Sequence, residues 1–193
     1  LPISDTAPVL YVVSSNFDLR YNRGTVLAVD LAKLGPISGR MPVTKAVDPD
    51  VGHVSIDHFG GEALLYTPRA RTGTGQRLFV TTRYAHTLYA LDVDGPKVAC
   101  ADGGQDCLGQ GLKMEDPEDA NRRMVDPFGM ALDGEELWVG HLHVSDNPPD
   151  TGENRVSYLG RLNAERFDSL QLFDIGLAAV QGVVRGPMGL YLA

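Results

Sequence analysis

The chain has 193 residues, enough for one sizeable domain with a real core. Its 43% hydrophobic and 22% charged residues are ordinary for a folded globular chain and argue against disorder. The formal net charge of -8, with no basic stripe to offset it, excludes nucleic acid as an expected partner, and no apolar run approaches the length of a membrane-spanning helix.

The first predicted element, Val9 to Ser15, is a continuous apolar run, the pattern of a strand buried on both faces. The polar segment from Asn16 to Gly24 holds Asn, Asp and Gly turn formers, and Thr25 to Leu31 returns as a strand. Residues 32 to 52 are punctuated by Gly35-Pro36, Gly39, Pro42, Pro49 and Gly52, which predicts a long irregular connector. His53 to His58 alternates as a half-exposed outer strand does. In a regular strand His53 and His58 point to opposite faces and make no paired site. Gly60-Gly61 then leads into Ala63 to Thr67.

Pro68 to Gln76 contains Gly73-Thr74-Gly75. Without the Lys-Ser/Thr of a phosphate-binding loop or a helix after it, this stretch is a hairpin turn. Arg77 to Arg83 and His86 to Val93 form two strands around a tight Tyr84-Ala85 turn. Residues 100 to 126 are an insert, rich in Gly and then acidic from Glu115 to Asp119, with a short helical turn expected near Ala120 to Met124. Asp126 to Gly134 gives an inner strand and turn, and Glu136 to Leu142 and Asn154 to Arg161 give the next hairpin. Ser169 to Asp174 is an outer strand. Ala178 to Val184 and Leu190 to Ala193 begin a further unit.

These hairpins repeat. Thr25-Val26-Leu27-Ala28-Val29-Asp30 matches Thr87-Leu88-Tyr89-Ala90-Leu91-Asp92 almost residue for residue, and Leu137-Trp138-Val139-Gly140 opens the pattern again. The 22 Gly and 12 Pro fall between the apolar runs, as a turn-rich all-β chain requires. Repeated four-stranded antiparallel units point to the blades of a β-propeller, in preference to a β-sandwich with its Greek-key connections. The units are approximately 9–59, 62–101 with the insert 102–126, 127–175 and 178–193, which makes residues 1–193 one partial propeller domain of about three and a half blades. So few blades leave open edges, which predicts a larger ring completed by further chain, a second fragment or another copy.

Cys100 and Cys107 lie in a Gly- and Asp-rich loop. With no Cys-x-x-Cys and no nearby His, a small loop-closing disulfide in an exported protein is preferred to half of a metal site or a redox pair.

The segment Tyr11 to Gly24, the Cys-containing loop after Leu91-Asp92-Val93-Asp94, and Asp126 to Asp133 followed by Leu137 to Leu142 resemble the predicted cell-surface lipoproteins of myxobacteria and their relatives. The β-propeller of that family is similar to YncE-like and lactonase-like propellers. The resemblance implies export to the periplasm, the outer-membrane surface or the extracellular space, and a seven-bladed ring. It implies no activity. Membrane contact is expected only through a lipid anchor outside these residues.

The loops joining the second and third strands of each blade emerge on one face. That places Asn16, Asp18, Arg20, Tyr21, Arg23, Arg83, His86, His141 and His143 on or near a common rim, where Arg and Tyr among polar neighbours suit a protein or glycan partner. The alternative is a solvated rim held by local hydrogen bonds. His141 and His143 share a strand face and, with Asp146, make a conceivable metal pair; two strand-end histidines meeting water or backbone is the preferred reading. Asp146, Asp150 and Glu153, or Asp116 with Asp119, are weak candidates for a structural Ca2+. Asp92-Val93-Asp94-Gly95 opens like an EF-hand loop but has Gly103 where the twelfth-position Glu would stand. No other cofactor is expected. Gly-x-Ser-x-Gly is absent and no nucleophile is visibly paired with His and Asp, so no residue is assigned to catalysis. The expectation is an exported, non-enzymatic surface scaffold or binding module. Two alternatives stand beside it: a lactonase-type metal-dependent hydrolase, and a structural subunit that joins an assembly through open blade edges.

Overall fold

The computed structural model describes residues 8–16, 22–34, 46–68, 75–116, 118–119, 124, 126–141, 158–176 and 180–193. They form an all-β protein of four antiparallel sheets. The first holds β1 (Val9–Ser14), β2 (Gly24–Asp30) and β3 (His53–Ile56). The second holds β4 (Gly60–Tyr66), β5 (Gln76–Thr82), β6 (Thr87–Asp94), β7 (Lys97–Ala99) and β8 (Leu112–Lys113). The third holds β9 (Pro127–Asp133), β10 (Glu136–His141), β11 (Tyr158–Asn163) and β12 (Asp168–Asp174), and the fourth β13 (Val183–Gly186) and β14 (Gly189–Leu192). Apart from β8, which pairs with β6 off the path, strands that follow one another within a sheet pair as neighbours, so each sheet is built on a meander. The only helical element among the described residues is a 3-10 turn, Leu31–Leu34, whose Ala32 amide donates to Asp30 Oδ1 (3.0 Å).

Period-two alternation carries the sheets into layers. Leu78 and Val80 of β5, with Tyr89, Leu91 and Val93 of β6, pack against Val26, Ala28, Val54 and Ile56 of the first sheet. Phe79 and Leu88 face the other way, onto Met130, Leu137, Val139 and Leu162 of the third. Ala131, Leu159, Val180 and Val183 join the third sheet to the fourth. Strand β4 lies beside β9, and β9 beside β13. Arg77 of β5 ties two layers together by donating to the carbonyls of Ala164 (2.9 Å) and Glu165 (2.7 Å) in the β11–β12 turn.

Two expectations change. Strand β1 is not buried on both faces: Val9, Tyr11 and Val13 pack on the second sheet, while Leu10 and Val12 are 51% and 37% exposed. An apolar run fixes neither face, because cover depends on which sheet lies opposite. The insert is also more than a loop. Its strand β8 pairs with the near half of β6, while β7, which belongs to the 62–101 unit, pairs with the far half, and the Cys100–Cys107 loop between them swings out to the first sheet. There the Ser55 amide donates to Gln105 O (2.8 Å) and the Cys107 amide to Ser55 O (3.0 Å). The two sulfurs are bonded, at 2.06 Å, and both cysteines are buried beside Val54 and Val98. The loop is thus a strap that seals the edge of β3. The helical turn expected at Ala120 to Met124 lies outside the described residues except at Met124, which is buried.

Candidate functional site

The end of the sheets at which β1 and β5 finish gathers segments far apart in sequence. A chain of backbone hydrogen bonds joins them: the Phe59 amide donates to Ser15 O (2.7 Å) and the Arg83 amide to Phe59 O (3.0 Å). The β5–β6 connection is the tight turn expected: the His86 amide closes on Arg83 O (3.2 Å), with Tyr84 and Ala85 as its two central residues. Four residues of this rim hold left-handed backbone without being glycine: Asn16 (φ 48°), Phe59 (φ 56°), His86 (φ 50°) and Asp126 (φ 55°). Asn, Asp and His are enriched in that region; Phe adopts it only where surrounding structure imposes it.

Side chains complete the cluster. Asn16 Nδ2 donates to His58 Nδ1 (3.0 Å). The Tyr84 ring stands edge-on to His58 and tilted over Phe59, each at a centroid distance of 6.0 Å. Arg83 pairs with Asp126, Nη2 to Oδ2 at 3.3 Å, and the Asp126 amide makes a long 3.4 Å contact with His86 Nδ1. Phe59, Arg83, Tyr84 and Asp126 line a shallow depression of about 290 Å³. Tyr84 is 66% exposed, while the Arg83 Nε atom is buried with no hydrogen-bond partner.

Of the residues expected on the rim, Asn16, Arg83 and His86 come together here. Arg23 reaches the disulfide strap instead, where it pairs with Asp106 and holds that exposed carboxyl below the usual carboxylate range. His141 is a correction. It is wholly buried, and its Nε2 accepts from the Tyr158 amide (3.1 Å), so it offers neither surface to a partner nor that nitrogen to a metal. Asp18, Arg20, Tyr21, His143, Asp146, Asp150 and Glu153 lie outside the described residues. Among the described residues no group of three or more His, Cys, Asp or Glu is placed to hold a metal ion.

Below the rim, on the inner strands, the Glu62 carboxylate accepts from the Met130 amide (2.7 Å) and so bridges β4 to β9. Burial pushes its carboxyl up, and the amide hydrogen bond partly opposes this. Deeper still, the Tyr89 phenol donates to Asp57 Oδ2 (2.6 Å), and its burial together with that carboxylate pushes it well up.

His58, Phe59, Tyr84 and Asp126 escape a reading by sequence. His58 lies beyond the end of β3, so strand alternation says nothing of it. An aromatic side chain inside a tight hairpin turn, as at Tyr84, is the one local signal available. No protein-family model, no curated protein and no solved structure matches the chain.

Proposed function

We propose that this chain is an arc of a β-propeller that serves as an exported, non-enzymatic binding module, displaying its rim to a protein or glycan partner. The observation that carries the reading is the gathering of Asn16, His58, Phe59, Arg83, Tyr84 and Asp126 from three successive sheets onto one rim. The succession of meander sheets stacked face to face, with β4, β9 and β13 side by side, supports the radial arrangement. The bonded Cys100–Cys107 pair fits an oxidising compartment, as export to the periplasm, outer-membrane surface or extracellular space requires. The resemblance to propeller lipoproteins agrees with both points.

The mechanism is rigid display. Packed sheets hold the turn residues in one geometry, so a partner meets a preorganised surface and little ordering is needed on binding. The test replaces either Tyr84 on the rim or Glu135 at the opposite end with a photo-crosslinking phenylalanine. Each protein is then exposed to envelope polysaccharides and envelope proteins. Adducts at position 84 and none at 135 are expected; equal labelling at both sites, or none at 84, defeats the reading.

A second reading, a subunit in a larger assembly, is favoured by exposed apolar side chains on the two outermost sheets. These are Leu10 and Val12 on the first and Val184, Tyr191 and Leu192 on the fourth. The occupant would be a polypeptide supplying further sheets of the same meander type. Sedimentation as a monomer at high concentration, unchanged by Leu10→Asp, counts against it.

A further inference from the structure

We propose that the depression lined by Phe59, Arg83, Tyr84 and Asp126 binds a single neutral sugar ring, such as the terminal residue of a glycan. This rests on the reading of the rim as a binding surface and names its ligand class.

At about 290 Å³ the depression falls just below the roughly 300–1,000 Å³ of drug-sized ligand sites, so it accommodates one ring and not a helix or a peptide strand. Its chemistry is divided. One wall is the tilted Tyr84–Phe59 pair, whose ring faces carry negative quadrupole and attract the weakly positive C–H face of a pyranose. The other wall is the Arg83–Asp126 pair, with side chains 24% and 18% exposed. Guanidinium only donates and carboxylate only accepts. Two adjacent hydroxyls, each able to do both, satisfy such a pair better than any group of one polarity.

The charge pattern excludes the nearest competitors. An anion drawn to Arg83 meets the Asp126 carboxylate in contact with it, within a chain of net charge -8. A cation drawn to Asp126 meets Arg83. A neutral polyol ring avoids both penalties and leaves the ion pair intact. The geometry is also held in advance: Phe59 and Asp126 sit in left-handed backbone, and the Arg83 amide is anchored on Phe59 O. Fixing the two walls before the ligand arrives reduces the ordering cost of a small, weak ligand.

The experiment is saturation-transfer NMR on the intact protein with the methyl glycosides of glucose, galactose and mannose. Methyl glucuronoside serves as the anionic comparison and glucosamine as the cationic one. At least one neutral glycoside is expected to bind with a dissociation constant on the order of 1 mM. Tyr84→Ala should weaken it by about tenfold or more and Tyr84→Phe by no more than about twofold, since only the ring face is used. Asp126→Asn keeps a residue that tolerates the left-handed backbone but removes the charge, and should weaken binding by about fivefold with the fold intact by one-dimensional NMR.

Preferential binding of methyl glucuronoside or glucosamine, or indifference to Tyr84→Ala, overturns the proposal. If no glycoside binds while the crosslinker at position 84 still captures a protein, the sugar is wrong and the rim reading stands. If both are blank, both fall.

Discussion

At the end of the sheets away from the rim, the hairpins β6–β7 and β9–β10 turn through Gly95 and Gly134, with φ of 56° and 65° and open space around each. At the rim the left-handed positions are held by Asn16, Phe59, His86 and Asp126. The backbone requirement is the same, but glycine meets it without a side chain, whereas the rim keeps side chains, at a steric cost of about 1–2 kcal/mol at Phe59. The far end has exceptions around the β11–β12 turn, where Ser169 (φ 61°) is one and Phe167 is the more telling. Phe167 also has positive φ (57°), yet its ring stacks on Phe79 at 5.9 Å. Left-handed backbone at Phe167 drives a ring into the core; at the rim it directs side chains towards each other around a depression. Conformation alone does not separate scaffold from site. What the side chain then touches does.

The largest expected effect breaks the comparison at its scaffold end. Phe167→Ala removes the ring beside Phe79 and is expected to destabilise by about 2–3 kcal/mol, less than a fully buried phenylalanine because the site is half-buried. Urea denaturation should show this as a lower midpoint, with Tyr84-dependent binding unchanged in the surviving folded protein.

Opening the strap comes next. Cys100→Ser with Cys107→Ser releases a short loop and is expected to cost about 2–3 kcal/mol. Hydrogen exchange should localise the loss to Ser55 and its neighbours in β3. Uniform loss across all four sheets contradicts the assignment of the loop as an edge seal.

Gly134→Ala probes the backbone requirement with nothing else in play, since no atom lies within 4 Å of the added Cβ. About 1–2 kcal/mol should be lost. A neutral result in thermal denaturation means that the turn relaxes freely, and the contrast with the rim then loses its meaning.

The smallest effect concerns Glu62. Burial raises its carboxyl above the ordinary value of 4.5. The folded chain therefore binds this proton more tightly than the unfolded one. The stabilisation is complete below the unfolded value and is lost as pH rises through the raised folded value. Glu62→Gln keeps an acceptor for the Met130 amide but removes the charge. Its stability relative to the parent should improve on going from pH 4 to pH 7, by a small amount that solvent screening reduces further. A parallel pair of stability–pH curves refutes the burial argument.

Much of the layering was legible in the sequence because alternation is local. Leu78, Phe79 and Val80 alternate between the two neighbouring sheets, and the match between β2 and β6 marks equivalent strands. Strand β1 misled because Leu10 and Val12 are as apolar as Val9 and Val13, and no local pattern states which face is covered. The strap was legible as a disulfide but not as a partner of β3: contact between Ser55 and Asp106 needs two sheets to be stacked first. The rim follows the same rule. Asn16 meets His58, and Arg83 meets Asp126, across 42 and 43 positions, so turn chemistry marks each as a loop residue without bringing the pairs together.

The strap has a consequence for biosynthesis. Strand β3 is sealed by residues that follow it by some fifty positions, after the whole of β4 to β7. While the chain emerges N-terminus first, the outer edge of the first sheet stays bare until Cys107 has cleared the exit channel and found Cys100. Throughout that interval a nascent chain presents a template to its neighbours on the same message. Closing the Cys100–Cys107 bond then holds the loop over that edge and ends the interval.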